Sequence, residues 1–333
     1  MLVCPRSALP FCLPFHTFHI SIEPIFIGKM EKARIRFIVN PIAGFRRNKT
    51  YLLELIRHYY DNLDSELALT TCRGDATRLA REAAAEGYDI VVAIGGDGTV
   101  NEVASGLVDT DTALGIIPRG SGNGLARGLG IPIQPAGAIE ILRHGSIRTI
   151  DAGCAAHRYF FAVTGVGFDA RVGLKFNATT WRGPLPYFFI AAREFASYHP
   201  ETIRLKFDHQ ELEFMPLLTT VANTRQYGNG AIIAPHAKPD DGLLEICIVE
   251  PMHLWQVVAH IPKLFSGHID RTPIVHYHSA TTIEIVKQGP ILFHVDGEPE
   301  FTEDHLRISV KPQALKVIAP TPSAGESGHS YAN

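Results

Sequence analysis

The stretch Asp89–Glu102, DIVVAIGGDGTVNE, decides how this chain is read. Ile90 to Ile94 form a continuous apolar run, the pattern of a strand buried on both faces of a parallel sheet. Gly95 and Gly96 end the run, and without a Cβ the backbone there can approach a ligand closely. Beyond Thr99 the apolar residues fall at Val100, Val103, Ala104, Leu107 and Val108, which is helical spacing. A strand, a glycine turn and a helix N-terminus together present N–H groups and the positive end of a helix dipole. A phosphate is the natural guest.

The same unit recurs on either side. Arg34–Val39 reads as a strand, followed by the loop Asn40-Pro41-Ile42-Ala43-Gly44 and a helix through Leu52, Leu53, Leu55 and Ile56. Glu66–Thr70 reads as a second strand, and the loop Thr71–Asp75 leads to an Ala-rich helix over Ala76–Glu86. Leu114–Ile117 is a fourth strand, whose loop Pro118–Gly124 (PRGSGNG) opens onto a helix around Leu125–Leu129. Alternation of this kind builds a parallel sheet flanked by helices, with ligands beyond the carboxyl ends of the strands. All the distinctive loops fall at those ends, so they are expected to converge on one crevice.

After Asp151 the pattern changes to short β-rich runs joined by turn residues. They are Tyr159–Val163, Ile203–Phe207, Leu212–Phe214, Leu217–Ala222, Leu243–Val249, Thr282–Val286 and Ile291–Val295, interrupted by helical inserts near Pro186–Tyr198 and His253–Phe265. The expected fold class is α/β plus β: a Rossmann-like parallel domain over 30–150, then an antiparallel sandwich over 151–312. Residues 1–29 read as an upstream extension or start-site artefact, and 321–333 as a disordered Ser/Gly/His-rich tail.

Composition narrows the class of function. With 46% apolar and 20% charged residues among 333, the chain suits a soluble globular enzyme. A net charge of −3 lacks the basic footprint that nucleic-acid binding calls for. The five cysteines are scattered without CxxC spacing, which argues against a disulfide framework or a zinc site and for a reducing, cytoplasmic setting. No apolar run approaches the ~20 residues of a spanning helix.

Asp97 sharpens the phosphate reading. A carboxylate beside phosphates is repelled unless Mg²⁺ bridges them or it binds a hydroxyl, so Asp97 suggests a nucleotide–metal complex. The P-loop pattern GxxxxGK[ST] is missing, as are the VAIK, HRD and DFG signatures of protein kinases.

GGDGTVNE, preceded by NPIAG and TTCRGDA, followed by IPRGSGNGLARGLGIP and completed by PDDGLLEI and VDGEP, resembles the diacylglycerol kinase-type lipid kinases. That family includes bacterial diacylglycerol and other lipid kinases together with sphingosine and ceramide kinases. The match runs in order from about Ile35 to Ala319. The resemblance implies an ATP site lined by Asn40, Thr70, Gly95, Gly96, Asp97, Gly98, Thr99, Val100, Asn101, Glu102 and Ser121. It implies Glu298 as catalytic base, with Asp97 orienting the nucleotide metal or the acceptor hydroxyl. Lys238, Asp241 and Leu243 match a structural Mg²⁺ site, and Ala314–Ala319 would return, within residues 313–320, to the first domain. ATP and Mg²⁺ are thus the implied cofactors.

The chemistry of these residue types agrees. A lipid hydroxyl is a poor nucleophile, so phosphoryl transfer needs a carboxylate to accept its proton and Mg²⁺ to offset phosphate charge. Glu298 follows a β run and a glycine, which places it on a turn able to reach a cleft. Gly165-Val166-Gly167-Phe168-Asp169 resembles a family segment facing that cleft, although its glycines also suit a bulge. The GSGN form around Ser121 is closer to the sphingosine-kinase style, and the acceptor stays open between a diacylglycerol-like lipid, a sphingoid base and another lipid. Aromatic residues from Trp181 to Ile190 and from Trp255 to Phe265 suit peripheral contact with a membrane, and a homodimer is a further possible assembly. An NAD-kinase-like or phosphofructokinase-like enzyme, which shares GGDGT, and a non-catalytic nucleotide sensor are the rival readings.

Overall fold

Five residues buried on every side, Ile35–Val39, make β1, and the pattern repeats in β3 (Ile90–Gly95) and β4 (Ala113–Pro118). With β2 (Ser65–Leu69) they form a parallel sheet in the order β2-β1-β3-β4. The computed structural model describes residues 33–42, 64–179 and 184–321, with side chains in the first helical insert described from residue 189. The helix expected through Leu52–Ile56, Ala43-Gly44, the aromatic Trp181 and residues 1–29 and 322–333 lie outside that description.

Helices α1 (Asp75–Ala85) and α2 (Asp97–Leu107) pack on the parallel sheet through Ala76, Ala80, Ala83, Val103, Ala104 and Leu107. The short α3 (Gly124–Gly128) and α4 (Pro135–His144) complete the first domain. The run after His144 then leaves it as β5 (Ser146–Ala155).

The second domain is a sandwich. Sheet one holds β5, β6 (Arg158–Phe160), β8 (Ile203–Phe207), β9 (Gln210–Phe214), β15 (Thr282–Val286) and β18 (His305–Ala319). Sheet two is antiparallel throughout, in the order β14-β13-β10-β7-β16-β17. Its strands are β7 (Val163–Gly167), β10 (Leu218–Ala222), β13 (Leu244–Val249), β14 (Val275–Ala280), β16 (Ile291–Val295) and β17 (Glu298–Thr302). Phe160, Leu205, Phe207, Val221, Ile246, Ile283 and Phe293 fill the space between the sheets. Helices α5 (Phe168–Asn177), α6 (Pro184–Phe195) and α7 (Leu254–Ser266) and the hairpin β11 (Gln226–Gly228)–β12 (Ala231–Ile232) accompany the second sheet.

Both expected domains are present, and the C-terminal strand does return: Val317 pairs with Leu114 of β4 in parallel. That strand is not a separate piece, however. β18 runs fifteen residues and pairs with β5 on both sides of an irregularity between Lys311 and Leu315. Residues 151 and 313 therefore fall inside two strands shared by the domains.

Three local expectations change. Tyr159–Val163 is not one strand; it divides into β6 and β7 because the N–H groups of Phe161, Ala162 and Val163 all turn to the Asp296 carboxylate. The glycines of Gly165–Asp169 mark no bulge. Gly167 takes φ of 100°, which ends β7 and lets Phe168 start α5. Glu298 is the first residue of β17, immediately after the turn.

Candidate active site

The glycine loops are the first component. Gly96 N-caps α2 in an extended conformation, and a Cβ on it would lie 3.2 Å from Gly120 Cα, so the loops after β3 and β4 touch backbone to backbone. Asn123, in the left-handed region with φ of 52°, closes the second loop. Its side chain accepts from Gly120 N–H at 2.9 Å and donates to Gly120 O at 2.8 Å.

Asp97 joins the two loops. Its carboxylate accepts the N–H of Asn123 at 2.9 Å and of Gly124 at 2.6 Å. Burial, helped by the charge of Asp296, pushes its pKa up, while those N–H groups pull it down. The sequence suggests Asp97 as a ligand organiser; the structure shows it organising the protein's own loops. A cavity of about 10 Å³ lies among Asp97, Asn101, Asn123 and Asp296, roughly the room one water needs.

The other residues implied for the nucleotide separate into two groups. Asn40 donates to Thr99 Oγ1 at 3.2 Å, Thr70 N–H bonds Val39 O at 3.0 Å, and Ser121 is exposed at the tip of its loop. These, with Gly95, Gly96 and Gly98, line the carboxyl ends of the parallel strands. Val100, Asn101 and Glu102 face inward along α2. Val100 is core, while Asn101 Nδ2 donates to Tyr159 O at 2.9 Å and to Asp296 Oδ2 at 2.8 Å. Glu102 accepts from Gly74 N–H at 2.9 Å and Ala76 N–H at 3.2 Å, capping α1. The NE of GGDGTVNE shapes the site from behind.

Glu298 arrives from the second domain on the β16–β17 hairpin. Asp296 and Gly297 have φ of 47° and 86°, the paired positive values of a tight hairpin turn. Asp296 fixes that turn to Phe161, Ala162, Val163 and Asn101. Gly297 N–H donates to His294 Nδ1 at 3.3 Å, so the other ring nitrogen carries the hydrogen shared with Asp169 Oδ2 at 3.1 Å. Tyr227 also donates to Asp169, and Asn177 to Gly297 O. So held, the Glu298 carboxylate reaches the first turn of α2: its Oε1 lies 2.5 Å from where a Cβ on Gly98 would stand. A Cβ at 98 would push that carboxylate tip aside.

Two arginines, Arg73 within TTCRGDA and Arg158 outside every quoted motif, complete the cluster. Arg73, on the loop after β2, bonds Glu298 at 2.9 Å and Glu300 at 2.8 Å. Arg158 of β6 bonds Glu300 at 2.5 Å and approaches Glu298 at 3.6 Å.

The Lys238, Asp241 and Leu243 group lies on the loop before β13. Asp241 accepts the Leu243 N–H at 3.0 Å, and its pKa is raised by burial and by the neighbouring Asp151 and Asp240. Asp151 of β5, which sequence reasoning passed over, accepts from Gly242 and Gln313 N–H, both at 2.7 Å. Among the described residues, no three His, Cys, Asp or Glu side chains gather as a metal-binding group. Asp241 offers a carboxylate, the oxygen type that hard cations take.

A carboxylate carried by one domain to the glycine loops of the other suits transfer of a phosphoryl group to a hydroxyl, the chemistry of two-domain kinases. Comparison with known proteins narrows that class. Residues 34–155 match the diacylglycerol kinase catalytic domain, and 162–319 match the YegS C-terminal NAD kinase beta sandwich-like domain. The chain is 35% identical over 257 residues to a YegS-like lipid kinase of Chromohalobacter salexigens, covering 75% of this chain and 82% of that one. It is 30% identical over 280 residues to the diacylglycerol kinase of Bacillus subtilis, covering 81% and 90%. A crystal structure of a diacylglycerol kinase from Bacillus anthracis shares the fold, with a TM-score of 0.66 over 86% of this chain and 97% of that one at 22% identity. The chain belongs to the diacylglycerol kinase family of lipid kinases.

Proposed function

We propose that the chain transfers the terminal phosphoryl group of Mg²⁺-bound ATP to the hydroxyl of a diacylglycerol-like lipid. The observation that carries this reading is the seat of Glu298, pressed against Gly98 at the start of α2 and fixed there by the Asp296–Gly297 turn. In that position a carboxylate can take the acceptor's proton beside the glycine loops, a contribution of roughly 10²–10⁴-fold. The ion accompanying ATP supplies neutralising charge, and Asp241 with nearby backbone oxygens would hold a second, structural one.

The acceptor is a membrane lipid on this reading, and α7 is the element suited to meet it. Leu254, Trp255, Val258 and Phe265 are exposed on it, while Lys263, its only strongly basic or acidic residue, turns inward to Thr272. An uncharged outward stripe on a helix fits peripheral contact with lipid. Among the described residues no helix is long and apolar enough to cross a membrane.

The test is transfer from labelled ATP to a panel of diacylglycerol, monoacylglycerol, sphingosine, ceramide, phosphatidylglycerol and NAD. Label on diacylglycerol is the expected result. Label on a sphingoid base alone would move the acceptor class, and label on NAD alone would overturn the lipid reading.

A further inference from the structure

In this structure the glutamate assigned as base is held by two guanidinium groups. Arg73 and Arg158 face Glu298 and Glu300 in a cluster of two positive and two negative side chains, all within 2.5 to 3.6 Å of a partner. Arg73 comes from the first domain and Arg158 from the start of the second, so the cluster spans the crevice. It lies on the first turn of α2, where Glu298 Oε1 abuts Gly98.

A structural role accounts poorly for Arg73. Its side chain is 62% exposed, and exposed ion pairs contribute about 0–1 kcal/mol. A chemical role accounts for it better. Both guanidinium contacts fall on Glu298 Oε2, while Oε1 faces the first turn of α2, so the arginines can be exchanged to another anion without moving the oxygen that would take a proton. Guanidinium groups pair with phosphate in the same forked geometry as with carboxylate.

We propose that Arg73 and Arg158 bind the phosphoryl group being transferred, and that Glu298 and Glu300 hold them in place until the nucleotide arrives. This rests on the kinase reading above. The terminal phosphate of ATP draws Arg73 away from Glu298 Oε2, while Oε1 meets the acceptor hydroxyl. The acceptor oxygen then attacks the terminal phosphorus. The bond to the bridging oxygen breaks with its electron pair going to ADP, and the hydroxyl proton passes to Glu298. The guanidiniums offset charge on the equatorial oxygens during transfer.

Nucleotide binding tests the proposal without any lipid. Affinities for ADP and for a non-hydrolysable ATP analogue are measured by calorimetry on the full chain, on Arg73→Ala and on Arg158→Lys. Loss of a charge-assisted contact to the terminal phosphate weakens analogue binding by about 10-fold or more. The expected result is that loss for the analogue with ADP affinity kept, together with a fall in kcat for Arg73→Ala that added guanidinium partly restores. Equal effects on both nucleotides, or none, would show a merely structural bridge and overturn the proposal. Wild-type chain that binds neither nucleotide would instead remove the kinase reading on which the proposal stands.

Discussion

Gly98 shows how one residue can serve a purpose other than the one its motif suggests. In the sequence it is a phosphate-loop glycine, but in the fold its missing side chain makes room for Glu298 Oε1. Gly98→Ala should leave stability nearly unchanged, because the tip of a flexible glutamate can swing aside. That swing displaces the base, so kcat should drop by about tenfold or more, since small misplacements of a reacting group are costly. Thermal melting and steady-state kinetics on one preparation separate the two effects. Glu298→Gln keeps the shape and removes the proton acceptor, so kcat should fall by roughly 10²–10⁴-fold with ADP affinity retained. Glu298 itself was legible because a short motif surrounds it. Arg73 was not: its carboxylate partners lie 225 and 227 positions away, and contacts across domains leave no local pattern. Asp97 was legible as a site residue, but its bonds to the second loop were not, since the N–H groups it accepts lie 26 and 27 residues further on.

At the scale of elements, the N-terminus of α1 links TTCRGDA to the site by capping as well as through Arg73. Gly74 takes φ of 88°, Asp75 accepts from Thr71 N–H and Oγ1–H and from Cys72 N–H, and Glu102 accepts from Gly74 and Ala76. The Thr71 bonds hold the Asp75 carboxyl well below the ordinary carboxylate range. A depressed folded-state pKa stabilises above the unfolded value and ceases to do so as pH falls through the folded one. The melting-temperature gap between wild type and Asp75→Asn should therefore be full at pH 7 and narrow below about pH 4. A gap independent of pH would assign the difference to packing. α7 carries another prediction. Its Trp255 is 69% exposed, and burying such a side chain in lipid is worth about 1.5–3 kcal/mol. Trp255→Glu should weaken co-sedimentation with anionic vesicles by about tenfold or more, with activity on vesicles falling further than on dispersed short-chain lipid. The strands of the parallel sheet were legible as continuous apolar runs. β14, reading VHYHSA, was not, because its outward residues are polar and its apolar residues few. The division of Tyr159–Val163 was equally hidden, since it depends on a carboxylate more than 130 residues away.

For the whole molecule, the question is what keeps the base of one domain against the loops of the other. β5 and β18 run through both domains and supply a continuous backbone connection, with Asp151 accepting from Gln313 N–H at the irregularity of β18. Near the site the connection is polar. Asn101 of α2 reaches across to Asp296 at 2.8 Å and to Tyr159 O at 2.9 Å, so the helix that begins with GGDGT is bonded to the turn that presents Glu298. Neither Asn101 nor Asp296 lies on the proposed path of transfer, yet both fix where Glu298 stands. Asn101→Ala leaves a part-buried carboxylate short of one donor, and Asp296→Asn places an amide against the N–H groups of Phe161, Ala162 and Val163. Each should destabilise by about 1–3 kcal/mol. Because the two residues share a hydrogen bond, the double variant should cost less than the sum, with a coupling of about 0.5–3 kcal/mol. The same coupling should appear in kcat and not in nucleotide affinity, since the glycine loops remain closed by Asp97 and Asn123. Additive effects in both quantities would show that the domains are aligned by β5 and β18 alone, with the Asn101–Asp296 bond a bystander to catalysis.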